Sequence, residues 1–201
     1  MRWDFLLDEA IDMLWDEAAP PPSANCGVVT PATQAREAQC RALLAQAAQR
    51  PGSVPRIRIN QCQGWLAEER LCQRLRARGH QIRGQVTLRG GSGGSRADVA
   101  PAHPGARGIT NLLESKHLDL DRYRQPGGAL DSTRLTRAIL SHMAQVQRHQ
   151  RAAQAHGDVP TRESIVYQLS HARPGEHATF LQLFRQLAQP RGMRGGVLRM
   201  V

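Results

Sequence analysis

The sequence predicts an α/β domain with the core order α-β-β-β-α-β-α, preceded by a helical segment. Three observations predict it. Residues 80–88 alternate apolar and polar side chains, with Ile82, Val86 and Leu88 on one side. Short strand-like runs follow at 96–100, 109–118 and 163–170. Between the last two, residues 133–156 carry an apolar stripe of helical period: Leu135, Ile139, Met143, Val146 and Ala153.

The elements follow in order. Trp3, Leu6, Leu7, Ala10, Ile11, Leu14 and Trp15 recur at three- and four-residue spacing, so residues 3–18 read as an amphipathic helix that packs on the domain or, alternatively, folds back over a basic cleft. Pro20-Pro21-Pro22 ends it. A second helix covers 32–49 and stops at Pro51-Gly52, where we place the boundary between a segment 1–52 and a domain 53–201. Ile57–Ile59 reads as a short extended piece. Residues 63–78 read as a helix with Trp65, Leu66, Leu71 and Leu75 on its apolar side and Gly79 as its stop. Gly90–Gly94 reads as a flexible turn between strands. The fourth strand, Glu163–Ser170, leads to a closing helix at 177–187.

Charge narrows the function. The formal net charge is +10. Residues 1–19 hold six acids against Arg2, a net of −5, which leaves +15 on the other 182 residues. A field of that sign attracts polyanions, nucleic acid above all. The chain has 26 Arg and a single Lys. Coding bias accounts for Arg over Lys, but not for the excess of bases over acids. No stretch approaches the ~18 apolar residues of a membrane span, and no signal peptide is evident at the acid-laced N-terminus. Cys26, Cys40, Cys62 and Cys72 form no CxxC pair, which argues against zinc. Cys62 and Cys72 on one helix are too far apart to bridge; a Cys26–Cys40 bridge stays open, and free thiols are expected in a cytosol.

The single lysine carries the sharpest signal. In Leu112-Leu113-Glu114-Ser115-Lys116, strand alternation points Glu114 and Lys116 to one face. Asp98 ends the preceding strand, sixteen residues before Glu114. Neighbouring strands bring the two acids together, and two carboxylates with a backbone carbonyl suit Mg²⁺ and leave room for water and phosphate. With 17 acids in 201 residues, an acid two before the sole Lys arises by chance about one time in twelve. Arg is effectively never deprotonated, whereas Lys is a compact donor whose pKa shifts on desolvation. The alternative is a surface Glu–Lys pair worth under about 1 kcal/mol.

Asp98, the sixteen-residue spacing and Glu114-Ser115-Lys116 resemble the PD-(D/E)xK restriction endonuclease-like superfamily over residues 57–188, with Ala97 in place of the usual proline. The resemblance implies an αβββαβ core with a mixed four-stranded sheet flanked by helices. It implies a nuclease that binds Mg²⁺ or Mn²⁺ through Asp98, Glu114 and the Ser115 carbonyl, with Lys116 as the catalytic donor. Gly64-Trp65-Leu66-Ala67-Glu68 is similar to the helix that supplies a further acid, so Glu68 joins the candidates; it reads equally as a solvated helix acid. Gln145 resembles a glutamine that some subgroups send back to the site, with Gln147 as its rival. Arg96, Arg134 and Arg137 are candidate phosphate contacts, against a solvated face as the default. The histidines, His142 and His149 among them, read as non-catalytic, because no HNH or HxxxH pattern with partners is present. Gly90–Gly94 lacks the Lys-Ser/Thr of a phosphate-binding loop.

DNA is the expected partner, read with little sequence preference, and RNA, including transfer RNA, is the alternative substrate. The layout is also similar to restriction-endonuclease-fold domains of bacterial polymorphic toxins. That resemblance implies a cytoplasmic site of action after delivery from another cell, and an acidic immunity protein as partner. A repair or phage-processing nuclease and a non-catalytic nucleic-acid-binding protein are the competing readings.

Overall fold

The computed structural model describes residues 26–87, 96–101, 110–155 and 161–198. The segment 3–18 and the Gly90–Gly94 turn lie outside them. Helix α1, Pro31–Gln49, starts at a reciprocal cap: Thr33 N donates to Thr30 Oγ1 at 3.1 Å and Thr30 N to Thr33 Oγ1 at 2.7 Å. Pro31 fits the first turn because its missing N–H has no helical partner there.

Helix α2 runs from Arg56 to Ala77. It absorbs Ile57–Ile59, which the sequence predicts as extended. The Arg-Ile-Arg-Ile alternation is strand-like, but Pro55 precedes it at the cap and the helix continues directly into the buried stripe Leu66, Leu71 and Leu75. Propensity over four residues yields to that packing. Gly79, at φ 86°, turns the chain out of α2 in a conformation other residues rarely adopt.

Five strands form one sheet in the order β1-β2-β3-β4-β5. They are β1 (Ile82–Thr87), β2 (Arg96–Pro101), β3 (Thr110–Asp119), β4 (Thr161–Ser170) and β5 (Arg194–Leu198). β1, β2 and β3 pair antiparallel; β3–β4 and β4–β5 pair parallel. Helix α3, Ser132–Ala155, connects β3 to β4, and α4, Glu176–Ala188, connects β4 to β5. The sheet is thus mixed and carries one strand more than the four expected. Arg194-Gly195-Gly196-Val197-Leu198 has no alternation to announce it. Gly195 has a packing role instead: a Cβ there would stand 2.3 Å from the Ile165 carbonyl oxygen.

Parity along the strands assigns the two faces. Val99, Leu113 and Val166 pack with Leu71, Leu75 and Ile82 under α2. Ile165, Tyr167 and Leu169 pack with Ile139, Met143 and Val146 of α3 and Phe180 and Phe184 of α4 on the other face. α1 lies against α2. Two disulfides fasten this layer, Cys26–Cys72 and Cys40–Cys62. They replace the expected free thiols and the candidate Cys26–Cys40 pair, because the turn at Cys26 and helix α1 both lie against α2 and bring together cysteines 46 and 22 residues apart. No helix among the described residues is long and apolar enough to cross a membrane.

Candidate active site and metal centre

The recorded pairing of β2 with β3 sets Val99 opposite Leu113. One step further along that register, Asp98 stands opposite Glu114. There the Ser115 N–H donates to Asp98 Oδ2 at 2.8 Å, so a side chain takes the place of a ladder partner. A strand residue's N–H and C=O point to the same side. The Ser115 carbonyl therefore lies on the Asp98 side of β3.

Asp98, Glu114 and Lys116 share the face covered by α3. Lys116 Nζ donates to Glu114 Oε1 at 2.5 Å, and Gln145 Nε2 of α3 donates to the same oxygen at 2.8 Å. Glu114 is buried, and its other oxygen, Oε2, is buried without a hydrogen-bond partner. Beside it, His149 of α3 and Glu163 of β4, both buried, meet through Nδ1 and Oε1 at 2.9 Å. Glu163 Oε2 also lacks a hydrogen-bond partner.

The electrostatics follow from this crowding. Burial, then the charge of Glu114, pushes the Asp98 carboxyl up to about 6, against Lys116 and the Ser115 N–H, which lower it. Burial raises Glu114 despite Lys116, and raises Glu163 despite His149. The hydrogen bond to Glu163 raises His149. Among the described residues the donor atoms that converge here are those of Glu114, His149 and Glu163, a group that could hold a cation; Asp98 feels the charge of Glu114 but lies outside that group.

Other candidates lie elsewhere. Glu68 belongs to α2, on the opposite face, with Oε1 beside Gly84 of β1: a Cβ added there would be 3.6 Å away. Arg134 and Arg137 are exposed on α3, and the Arg134 guanidinium stands 5.9 Å from the Tyr123 ring centre. Arg96 opens β2, with its side chain outside the described residues. Ser115 points its Oγ to the α2 face, 3.4 Å from Gln168 Nε2, which also donates to the Ala67 carbonyl at 2.5 Å. His117 lies on that face too, and burial holds its pKa near 4.

Sequence reasoning named Gln145, read His142 and His149 as non-catalytic and passed over Glu163. His142, Gln145 and His149 are three and four apart, so they form one stripe on α3. His142 Nδ1 stands 3.3 Å from Tyr167 Oη, and burial lowers its pKa to about 4. The legible signal for Glu163 was an acid in step with Ile165 and Tyr167 in an apolar strand. No family model matches the chain, and no curated protein or solved structure matches it.

Proposed function

We propose that this chain is a metal-dependent nuclease of the PD-(D/E)xK, restriction endonuclease-like type that hydrolyses phosphodiester bonds in DNA. The observation that carries it is the meeting of Asp98, Glu114 and Lys116 on one buried face, with Asp98 fixed by the Ser115 N–H. The run of α2, three antiparallel strands, α3 and a parallel fourth strand supports it.

Asp98, Glu114 and the Ser115 carbonyl would hold Mg²⁺ or Mn²⁺. The bound ion supplies Lewis-acid polarisation of the phosphate and a more acidic water. Lys116 presents its ammonium protons where the attacking water or the phosphoryl oxygens lie, and so orients the nucleophile or offsets developing charge. Gln145 and Lys116 together fix the Glu114 carboxylate through Oε1 and leave Oε2 for the ion. The +15 body, with Arg134 and Arg137, attracts the DNA backbone without base reading. The role we propose is a toxic effector acting in the bacterial cytoplasm and held in check by an acidic immunity protein.

The test is incubation of purified chain with plasmid DNA and with RNA, in Mg²⁺ and in EDTA. Plasmid should be nicked and cut in Mg²⁺ alone, and Lys116→Ala should abolish cutting while leaving the fold intact. Equal cutting by Lys116→Ala sinks the assignment; degradation of RNA with intact plasmid overturns the choice of DNA. Expression in a bacterial host should arrest growth for wild type and not for Lys116→Ala. Normal growth with abundant soluble wild type removes the toxin role alone.

A further inference from the structure

The contact between His149 and Glu163 has no part in the nuclease chemistry above, yet it lies against Glu114. One donor atom each from Glu114, His149 and Glu163 falls within 4.8 Å of the others. Ligands about 2.1 Å from one cation stand roughly 3–4 Å apart, so a small inward movement suffices. The donors come from three elements: β3, α3 and β4. Register explains the approach, since Glu163 is opposite Leu112, one residue before Leu113 and two before Glu114, on the same face.

A second observation separates this cluster from a chance gathering of acids. Glu114 is 1% exposed and Glu163 3% exposed, and Oε2 of each is buried with no hydrogen-bond partner. Buried carboxylate oxygens ordinarily have donors. Here Lys116, Gln145 and His149 all engage the Oε1 atoms instead. A cation between them would satisfy both oxygens beside the imidazole.

We propose that Glu114, His149 and Glu163 form a second cation site that takes a transition-metal ion of the Mn²⁺ or Zn²⁺ class in preference to Mg²⁺. The site shares Glu114 with the Asp98–Ser115 centre. The imidazole sets the preference. Mg²⁺ favours oxygen ligands and gives up its waters reluctantly, whereas Mn²⁺ and Zn²⁺ accept a histidine nitrogen in a largely dry site. The inference rests on the nuclease reading only for the second use of Glu114, and it is measured without cleavage.

The full chain is stripped of metal and titrated with Mn²⁺ in a large excess of Mg²⁺, with bound Mn²⁺ counted by electron paramagnetic resonance. One Mn²⁺ per chain should be retained, and electron spin echo modulation should show nitrogen coupling from an imidazole. Glu163→Gln and His149→Gln should each weaken retention at least about tenfold, and Asp98→Asn should keep it. Circular dichroism checks each fold. If His149→Gln does not fold, the isosteric Glu163→Gln and the nitrogen coupling of the wild type decide. Loss of all Mn²⁺ to Mg²⁺, a retained ion without nitrogen coupling, or unchanged retention in Glu163→Gln overturns the proposal. Retained, nitrogen-coupled Mn²⁺ with no plasmid cleavage defeats the nuclease reading and leaves the metal site standing.

Discussion

The two faces of the sheet are built from alternate residues of the same strands, and both bury apolar side chains, but the cluster of Glu114, His149 and Glu163 is buried on one of them. Under α2, Val99, Leu113 and Val166 close an apolar layer with Leu71, Leu75 and Ile82. One residue away in each strand, Asp98, Glu114 and Ile165 point to α3. There the apolar packing of Ile165, Tyr167 and Phe180 gives way to acids, a lysine, a glutamine and a histidine. The comparison teaches that burial alone does not define the core. Apolar burial needs only shape, whereas buried charge persists because Lys116, Gln145 and His149 answer most of it. The oxygens left unanswered are Oε2 of Glu114 and Oε2 of Glu163.

Breaking the polar half should act on chemistry first. Glu114→Gln keeps the shape and removes a carboxylate, so plasmid cleavage in Mg²⁺ should fall roughly 10³-fold or more, with the midpoint of thermal unfolding unchanged or higher. A variant that cuts at the wild-type rate would falsify the role of this residue.

Breaking the apolar half should do the reverse. Leu71 of α2 is fully buried in the layer with Val99, Leu113 and Val166. Leu71→Ala should cost about 2–5 kcal/mol in urea unfolding. Whatever fraction remains folded should bind Mn²⁺ as the wild type does. A loss below about 1 kcal/mol would mean that this half is not the stabilising one.

The smallest effect sharpens the contrast through pH. Without metal, Asp98 keeps its proton up to about 6 in the folded chain, against an ordinary value of 3.8. Between those values the folded state binds more protons than the unfolded state, so stability falls as pH rises and the penalty is complete above about 6. Asp98→Asn cannot ionise. In EDTA it should be more stable than wild type by about 1–2 kcal/mol at pH 7.5, and the two should converge near pH 4. Parallel stability curves across that range would show that Asp98 is not under strain from burial and Glu114.

Much of this was legible locally. The period-2 and period-3.6 patterns placed four strands and the long helix, with ends that differ from those observed by a few residues. Alternation alone put Glu114 and Lys116 on one face; Asp98, expected to end the strand before them, lies inside β2 as the third of its six residues. A periodicity reports which way a side chain points within its own element, so these relations needed no partner. It does not report what lies opposite.

Register and docking decided the rest. The Cys26–Cys72 and Cys40–Cys62 pairs depend on how the turn at Cys26 and α1 lie on α2. β5 exists because Gly195 lets it approach the Ile165 carbonyl, a contact that no alternation encodes. His149 and Glu163 are fourteen residues apart, on a helix and a strand, and each is ordinary by itself. Only the packing of α3 across β3 and β4 sets them beside Glu114 out of water. There burial raises the carboxyl pKa of Glu114 and of Glu163 and leaves an oxygen of each without a hydrogen-bond partner.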